Sequence, residues 1–301
     1  MRRKIPSTAA LSAFESAARH QSYTKAAEEM AVTQSAICRQ IAALEEFLEL
    51  KLFQRDRRGV RLTDAGRIYF QKVGNCLDEV ERDTLELMAT RGRGETLQLA
   101  AVPTFATKWL LPRIPLFNRE YPGISINLSS RTRPFLFEGT EFDAAIHAGE
   151  ESWPGTEKIR LMSEHLTAVC SPVLIAPRTK LMKVDWHKFP LLQQSTRPYA
   201  WRNWFAANGI KVEGDMYGPR YELFSMLAEA AAHGLGIALI PRLLVEDELR
   251  RGVLIEASPH SPPPDRSYYL LIPDYKASDR VVILFSEWLK GQAEQYTGGA
   301  E

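Results

Sequence analysis

Residues 22–66 carry the pattern that most restricts the fold of this chain: two helices separated by a tight turn and followed by a basic hairpin. Ser22 is a good N-cap and precedes a run of strong helix formers. Ala26 and Ala27 are small enough to let a second helix approach closely, and Val32 is predicted to fill the space under the turn. This layout is typical of a winged helix-turn-helix, which places its second helix in the major groove of DNA.

The second helix is predicted at about residues 34–48, with Thr33 as its N-cap. Ile37, Ile41 and Leu44 recur at helical spacing and form one buried stripe. The opposite face, close to the helix start, is predicted to read base edges, because Gln favours adenine, Arg favours guanine and Ser is permissive. The candidate base-reading residues are Gln34, Ser35, Cys38 and Arg39.

A basic hairpin, the wing, follows this helix. Between positions 50 and 61 five basic residues stand against one acid, and Gly59 suits the turn between Phe53 and Val60. Such a wing is predicted to contact phosphates, which supplies affinity without sequence information. The candidate phosphate contacts are Arg55, Arg57 and Arg58. The alternative is an ordinary three-helix bundle with a solvated run of charge, which leaves the caps, the alanine pair and the wing unexplained.

Charge is unevenly distributed along the chain. The whole sequence has a formal net charge of +1, but residues 1–61 contain 11 Lys and Arg residues against 7 Asp and Glu residues. The N-terminal part therefore carries +4 and the remainder −3. A basic module on a mildly acidic body favours DNA binding by one end of the chain only.

Length and cysteine content restrict the remaining classes. A chain of 301 residues is expected to hold two or three domains. Its three widely spaced cysteines form no CxxC pair and no disulfide framework, which predicts a reducing cytoplasm and no metal or cofactor. Cys38 is interpreted as a small filler residue, with a redox switch as the alternative. The sequence has neither a run of about 18 apolar residues nor a signal-peptide core, so we expect no membrane span.

A long helix is predicted after the wing, with Thr63 as its cap and Asp64 near its positive end. Its apolar residues step by three and four, which indicates a heptad seam. The seam residues are Phe70, Val73, Leu77, Val80, Thr84 and Leu87. Such a helix can pack on its own domain, but its place between two modules favours a partner helix from a second chain. Residues 91–94 are predicted to form a hinge.

From Thr96 the pattern changes to short apolar strands that alternate with helices, which predicts an α/β body with largely parallel sheets. The predicted strands lie at residues 97–102, 124–128, 142–147, 166–171, 236–240 and 268–272. The predicted helical segments lie at residues 109–119, 200–208, 223–233 and 279–289. In open α/β sheets, ligands bind beyond the carboxyl ends of strands and at helix N-termini.

Enzyme signatures are missing from the sequence, which has no HExxH, GxSxG or P-loop motif. Gly234 and Gly236 lack the third glycine of a dinucleotide fingerprint, and they close a predicted helix instead of opening one. The six histidines lie far apart without metal-ligand spacing. No catalytic residue is predicted. The alternative from another class is an α/β enzyme or a solute-binding protein fused to a DNA-binding domain.

The first 66 residues closely resemble the N-terminal signature of the LysR-type transcriptional regulators. The matching positions are Ser22-x-Thr24-x-Ala26-Ala27, Val32-Thr33-Gln34-Ser35-Ala36-Ile37-x-Arg39-Gln40-Ile41, Leu44-Glu45, Leu52-Phe53-x-Arg55 and Leu62-Thr63-x-Ala65-Gly66. Pro6 and residues 11–19 are similar to the branch that contains glycine-cleavage and β-lactamase regulators. At position 35 this chain has serine where the family frequently has proline, and at position 38 it has cysteine where the family frequently has serine. The thiol of cysteine is a weak hydrogen-bond partner.

This resemblance implies a winged helix-turn-helix domain at residues 1–62, a linker and dimerisation helix at 63–92, and an effector-binding domain at 93–301. The last domain is expected to be an α/β body similar to periplasmic binding proteins. Its two subdomains, residues 93–166 plus 268–301 and residues 167–267, are expected to flank a cleft. The candidate effector contacts lie at strand ends, at helix starts or at positions where the family binds its effector. They are Thr104, Phe105, Thr107, Arg131, His147, Trp201 and Ser225. For each of them the alternative is an ordinary cap, wall or loop residue.

The expected protein is a cytoplasmic regulator that binds double-stranded promoter DNA as a homodimer or homotetramer and contacts RNA polymerase. A small molecule in the cleft is expected to shift the relative positions of the subunits, which requires different ligand affinities for two quaternary states. The sequence names neither the effector, nor the operator, nor the sign of regulation.

Overall fold

The computed structural model of the protein describes residues 4–56, 59–90, 95–149, 153–175, 186–259 and 262–298. The chain divides into two units, Met1–Arg93 and Gly94–Glu301. The first unit contains α1 (Thr8–His20), α2 (Tyr23–Glu29), α3 (Gln34–Leu48), β1 (Phe53–Asp56), β2 (Gly59–Leu62) and α4 (Asp64–Thr90). The predicted hinge at residues 91–94 lies outside the described residues.

The helix-turn-helix is formed by α2 and α3, and side chains cap both helices. The Ser22 hydroxyl accepts the backbone N–H of Lys25, and the Thr33 hydroxyl accepts that of Ala36. These bonds satisfy N–H groups that have no partner inside a helix. The predicted apolar stripe of α3 is buried, so caps and periodicity together define the start and the inner face of this helix.

One prediction about the turn between α2 and α3 is wrong. Val32 does not fill the space under the turn, because 45% of its surface is exposed. Met30 packs against the core of the unit instead. The intervening Ala31 has a left-handed backbone with φ of 54°, so the chain turns between these two apolar residues.

An aromatic cluster joins the other elements of the first unit. Phe14 of α1 meets Phe53 of β1 edge-on, with ring centroids 5.6 Å apart, and lies 5.5 Å from Tyr69 of α4. Tyr23 of α2 also meets Phe53 edge-on, at 5.4 Å. Helices α1, α2 and α4 and the first wing strand therefore share one core.

The residues of the predicted heptad seam of α4 lie in two different environments. Val73 is buried in the core of the first unit, and Phe70 and Leu77 pack against that core. Val80 is 61% exposed, and the side chain of Leu87 lies outside the described residues. The first half of the helix thus packs on its own unit, while the second half leaves apolar surface exposed.

The second unit is a mixed α/β structure. Its strands are β3 (Glu95–Ala101), β4 (Ile124–Ser130), β5 (Ala144–Gly149), β6 (Thr156–Ser163), β7 (Leu166–Cys170), β8 (Leu191–Gln194), β9 (Arg220–Tyr221), β10 (Ile237–Pro241), β11 (Ile255–Glu256) and β12 (Ser267–Pro273). Its helices are α5 (Pro103–Phe105), a π-helical turn (Ala106–Leu110), α6 (Ile114–Glu120), α7 (Ala200–Ala207), α8 (Phe224–Ala232), α9 (Glu246–Arg250) and α10 (Arg280–Gly298). Each of the six predicted strands is confirmed to within two residues at either end.

The strands form two five-stranded sheets, in the orders β4-β3-β5-β12-β6 and β11-β7-β10-β8-β9. The expectation of largely parallel sheets is wrong, because both sheets are mixed. Strand β3 runs parallel to β4 and β5, but β12 is antiparallel to β5 and β6. In the second sheet β10 is parallel to β8 and antiparallel to β7. The direction of β12 follows from its entry into the first sheet from the second.

Each sheet defines one lobe of the second unit. Lobe one contains β3–β6, β12 and α10, and lobe two contains β7–β11 and α7–α9. The chain crosses between the lobes twice, from β6 to β7 and from β11 to β12. One cluster of buried apolar residues includes side chains from both lobes, such as Leu99, Phe285, Leu227 and Ile240.

Two glycines of α4 have opposite surroundings, which gives a matched pair for testing the packing of the first unit. A Cβ at Gly66 would lie 2.2 Å from the carbonyl oxygen of Leu52, whereas a Cβ at Gly74 would meet nothing within 4 Å. Gly66 thus allows α4 to approach the start of the wing.

We expect Gly66→Ala to destabilise the first unit by about 1–3 kcal/mol, because overpacking displaces the backbone. Gly74→Ala should instead stabilise it by up to ~1 kcal/mol through helix propensity. Hydrogen–deuterium exchange of the α3 amides in the full chain would measure both effects. Equal protection in the two variants would contradict the close approach at Gly66.

Candidate functional site

Helix α3 presents the predicted base-reading face to solvent. Gln34, Ser35 and Arg39 are exposed, and Cys38 is partly exposed. Arg39 makes no side-chain hydrogen bond or ion pair within the described residues, so its guanidinium is available to a ligand. The Ser35 hydroxyl lies 3.0 Å from that of the cap residue Thr33, so it is partly engaged by the protein itself.

The wing is tied to α3 by one carboxylate. Oε1 of Glu45 accepts the backbone N–H groups of Leu52, at 2.9 Å, and Phe53, at 3.1 Å. Oε2 accepts from Lys51 Nζ at 2.7 Å. Glu45 is only 9% exposed, so these hydrogen bonds satisfy a buried charge. Sequence reasoning did not single out this contact, which sets the position of the wing relative to α3.

Burial by itself would raise the pKa of Glu45, but the hydrogen bonds from Lys51, Leu52 and Phe53 lower the pKa by more. Its pKa in the folded protein is therefore below the ordinary value for glutamate. A carboxylate with a lowered pKa stabilises the fold at pH values above its unfolded pKa. That contribution is lost as the pH falls through the folded pKa.

The structure describes little of the predicted phosphate contacts. Arg57 and Arg58 lie outside the described residues, as does the side chain of Arg55. The backbone of Arg55 pairs with Val60 in the β1–β2 hairpin, which is the predicted wing. Phosphate binding by the three arginines stays a prediction.

We expect Glu45→Ala to destabilise the first unit by about 1–3 kcal/mol for each buried N–H group left without an acceptor. DNA affinity should fall with it, because the wing is no longer held. The neighbouring Glu46 is exposed, so Glu46→Ala is the matched control. Urea unfolding across a pH series would measure the effect. The difference from wild type should shrink as the pH falls through the lowered pKa of Glu45, and a pH-independent difference would contradict the assignment.

A cavity of about 770 Å³ lies between the two lobes of the second unit. Lobe one contributes helix α5, the end of β5 and the start of β12, and lobe two contributes the loop after β8 and the start of α8. Residues with polar side chains in its lining include Thr104, Thr132, Arg133, His147, Lys158, Gln194, Ser195, Thr196, Arg197, Asn203, Glu222, Asp265 and Arg266. Aromatic side chains from both lobes also line it, so the cavity suits a ligand with polar and apolar parts.

Thr104 and Phe105, both predicted contacts, line this cavity. The Thr104 side chain is 5% exposed, and its hydroxyl accepts the backbone N–H of Ser225 at 3.1 Å. This bond links lobe one to the second residue of α8 in lobe two. Phe105 stacks on Tyr268 with ring centroids 4.5 Å apart and an interplanar angle of 24°. Helix α5, which follows β3, therefore supports both the interlobe contact and an aromatic wall.

His147, another predicted contact, also lines the cavity. Burial lowers the pKa of His147, and the nearby charges of Arg197 and Arg266 lower it further. The imidazole is therefore neutral near pH 7, with one donor and one acceptor nitrogen. Its Nε2 has no hydrogen-bond partner within the part of the chain that the structure describes.

Sequence reasoning missed Arg197, which lines the cavity and belongs to a buried ion pair. Both terminal nitrogens of Arg197 pair with the Glu164 carboxylate, one of them at 3.0 Å. Burial would lower the pKa of Arg197, but Glu164 raises it, and the net shift is upward. Burial and the same carboxylate raise the pKa of Tyr268 well above its ordinary value. Arg197 is thus charged and Tyr268 protonated, and no local sequence signal connects the three residues.

The other four predicted contacts do not line the cavity. Thr107 is exposed, and its hydroxyl donates to backbone carbonyls of its own helical turn. The Arg131 guanidinium donates to the Ser130 carbonyl and lies over a phenylalanine ring. Trp201 is buried in the core of lobe two, where its indole N–H donates to the carbonyl of Leu192. Ser225 takes part through its backbone N–H.

Two further features bear on the kind of site. Within the described residues, no three His, Cys, Asp or Glu side chains are grouped so that they could hold a metal ion. In that same part of the chain, no helix has both the length and the apolar character needed to cross a membrane.

A winged helix-turn-helix joined to a two-lobed α/β unit with an interlobe cavity defines a DNA-binding regulator with a ligand-binding domain. Residues 8–67 match the bacterial regulatory helix-turn-helix protein, lysR family. Residues 90–294 match the LysR substrate binding domain. The chain belongs to the LysR family of transcriptional regulators.

Relatives with known names agree with this assignment. The chain is 34% identical over 298 residues to the glycine cleavage system transcriptional activator of Escherichia coli strain K12, a match that covers 98% of this chain and 97% of the relative. It is similar to the effector domain of the transcriptional regulator AmpR of Pseudomonas aeruginosa, with a TM-score of 0.62, 26% identity and coverage of 69% of this chain and 98% of that one. The full-length LysR-type regulator CrgA from Neisseria meningitidis has the same fold, with a TM-score of 0.59, 22% identity and coverage of 96% and 99%.

Proposed function

We propose that the cavity between the lobes holds the small-molecule effector of this regulator, and that Thr104, Phe105 and His147 contact it from lobe one. The observation that carries the proposal is the hydrogen bond from the Ser225 N–H to the Thr104 hydroxyl, which joins the lobes at the cavity wall. Because Thr104 lies in lobe one and Ser225 in lobe two, a ligand bound beside this hydrogen bond lies where the lobes meet, and its affinity depends on how they are arranged. Effector contact by Thr107, Arg131, Trp201 and Ser225 side chains stays a prediction.

We propose that α3 contacts base edges through Gln34, Ser35, Cys38 and Arg39, and that the wing contacts phosphates through Arg55, Arg57 and Arg58. The exposure of the α3 face and the attachment of the wing to Glu45 support this arrangement. The exposed apolar residues of α4 support the dimerisation role proposed for residues 63–92.

The remaining parts of the proposal concern domain limits and partners. We propose a DNA-binding domain at residues 1–62 and an effector-binding domain at 93–301, the latter with subdomains at 93–166 plus 268–301 and at 167–267. We also propose that the protein contacts RNA polymerase, acts in the cytoplasm and catalyses no reaction. The names of the relatives, which are transcriptional regulators, support the last point. Turnover of any metabolite in a substrate screen would contradict it.

We expect Arg39→Ala to weaken binding to the operator by about 1–3 kcal/mol and to relax the preference at one base pair, because a bidentate contact to a base edge is lost. Binding to unrelated DNA should change little. Competition binding with single-base operator variants would measure both quantities. An equal loss on operator and unrelated DNA would show that Arg39 binds phosphate instead.

We expect Thr104→Val to weaken the response to effector, because the partly buried Ser225 N–H loses its acceptor and the ligand loses a hydroxyl. The expected loss is about 1–3 kcal/mol, or roughly 5- to 150-fold in effector affinity. Thr104→Ser keeps the hydroxyl and is the matched control. Thermal-shift screening identifies an effector, and calorimetry on both variants then measures its affinity. Wild-type affinity in Thr104→Val would place the effector elsewhere.

A further inference from the structure

The helical segment that follows β3 runs from the cavity wall in lobe one to α9 in lobe two. It begins as α5, whose Thr104 and Phe105 line the cavity, and continues directly into the π-helical turn Ala106–Leu110. In this turn the backbone N–H of Leu111 donates to the carbonyl of Ala106 at 2.8 Å, five residues back instead of the four of an α-helix. Such turns are rare and occur often at functional sites. This one lies directly behind two residues of the cavity wall.

An ion pair joins the π-helical turn to lobe two. Lys108, in the middle of the turn, pairs with Glu248 of α9. Glu248 is only 7% exposed, and its Oε2 has no hydrogen-bond partner within the described residues. A buried carboxylate needs a counter-charge, and the Lys108 ammonium supplies it from the other lobe.

A row of aromatic rings follows the same path. Trp109 of the turn stacks on Phe105, with ring centroids 5.0 Å apart, and meets Tyr296 of α10 edge-on at 6.1 Å. The Tyr296 hydroxyl donates to Oε1 of Glu246 at 2.5 Å, which is a second contact between lobe one and α9. Close-packed rings of this kind transmit a displacement instead of absorbing it.

Thr107 binds the turn to the cavity wall. Its hydroxyl donates to the carbonyls of Pro103 and Thr104, both at 3.2 Å. A side chain that bonds back to the preceding helical turn often bends a helix, and here it lies where the α-helical turn changes to the π-helical one. Any movement of Thr104 is therefore shared by the residue next to Lys108.

We propose that residues 106–110 form an interlobe latch, which couples the cavity wall at Thr104 and Phe105 to α9 through the Lys108–Glu248 ion pair. The inference rests on the proposed role of the cavity as the effector site. A ligand that displaces the wall moves the turn behind it and draws Lys108 away from the buried carboxylate. The turn has a second arrangement within reach, because hydrogen bonds that step back four residues instead of five make it an α-helical turn. The coupling is reciprocal, so a change at either end has to loosen the other.

Hydrogen–deuterium exchange of the full-length protein, without any ligand, tests both directions. Lys108→Met keeps the aliphatic chain but removes the charge. Exchange should become roughly tenfold faster in α9 and also at the Ser225 amide, whose acceptor is the Thr104 hydroxyl, within the usual range of coupling between sites. Thr104→Val, at the cavity wall, should in turn speed exchange in α9. Amides of α7, in lobe two but outside the latch, should keep their wild-type rates.

Lys276→Met is the matched control. Lys276 pairs with Asp143 at 2.6 Å inside lobe one, and these side chains are 34% and 11% exposed, against 30% and 9% for Lys108 and Glu248. Its loss should leave exchange in α9 and at Ser225 unchanged. Lys108→Arg keeps the charge and should restore the wild-type rates. Glu248→Gln removes the same ion pair from the other lobe and should reproduce the pattern, so the test does not depend on the folding of one variant.

Faster exchange in α9 alone, with Ser225 at its wild-type rate, would mean that the ion pair holds only α9 and would overturn the proposal. Uniform acceleration in both lobes would show a general loss of stability and would also overturn it. So would wild-type exchange of α9 in Thr104→Val. These outcomes do not depend on whether a ligand occupies the cavity, which calorimetry on Thr104→Val measures separately.

Discussion

The arrangement of the two lobes depends on one buried carboxylate. Glu164 lies where the chain leaves lobe one; its side chain pairs with Arg197 of lobe two, and its backbone N–H donates to the carbonyl of Arg266 on the returning segment. The same carboxylate faces the hydroxyl of Tyr268. Removing one partner of a buried ion pair typically destabilises a protein by about 3–5 kcal/mol. Both crossings between the lobes are therefore coupled to a single ionised group.

The same kind of interaction organises the DNA-binding unit, where the buried carboxylate of Glu45 accepts hydrogen bonds from two backbone N–H groups and from the Lys51 ammonium. In each case a buried carboxylate sets the relative position of elements that are separate in the sequence. This interaction bears on function in the second unit, since Arg197 also lines the cavity between the lobes. An occupant of that cavity that reached Arg197 would contact a group bound to Glu164. Coupling between a ligand and the arrangement of the lobes requires such a common element with more than one arrangement.

Much of the fold follows from local signals. The caps of α2 and α3 act over three residues, and the stripe of α3 repeats every three or four, so the helix-turn-helix was predictable. Six strands of the α/β unit were predictable from apolar runs. Thr104 and Phe105 were singled out because they follow the first of these strands, and His147 because it lies near the end of another. Strand β6 escaped prediction, because it lies at a sheet edge and much of it is polar or partly exposed. The mixture of parallel and antiparallel strands was not predicted either, because the direction of a strand depends on where the chain re-enters the sheet.

The amino-acid pattern alone determines a basic winged helix-turn-helix, a long apolar-seamed helix and an α/β body, because capping, periodicity and charge are properties of neighbouring residues. Tertiary structure decides which side chains meet at the cavity. Trp201 and Trp204 occupy similar positions in the sequence pattern, yet the indole N–H of Trp201 donates to a buried carbonyl and that of Trp204 has no partner within the described residues. Glu164, Arg197 and Tyr268 come from distant parts of the chain, and they meet only because it crosses twice between the lobes. A contact of that kind depends on the packing of whole sheets, and no short segment encodes it.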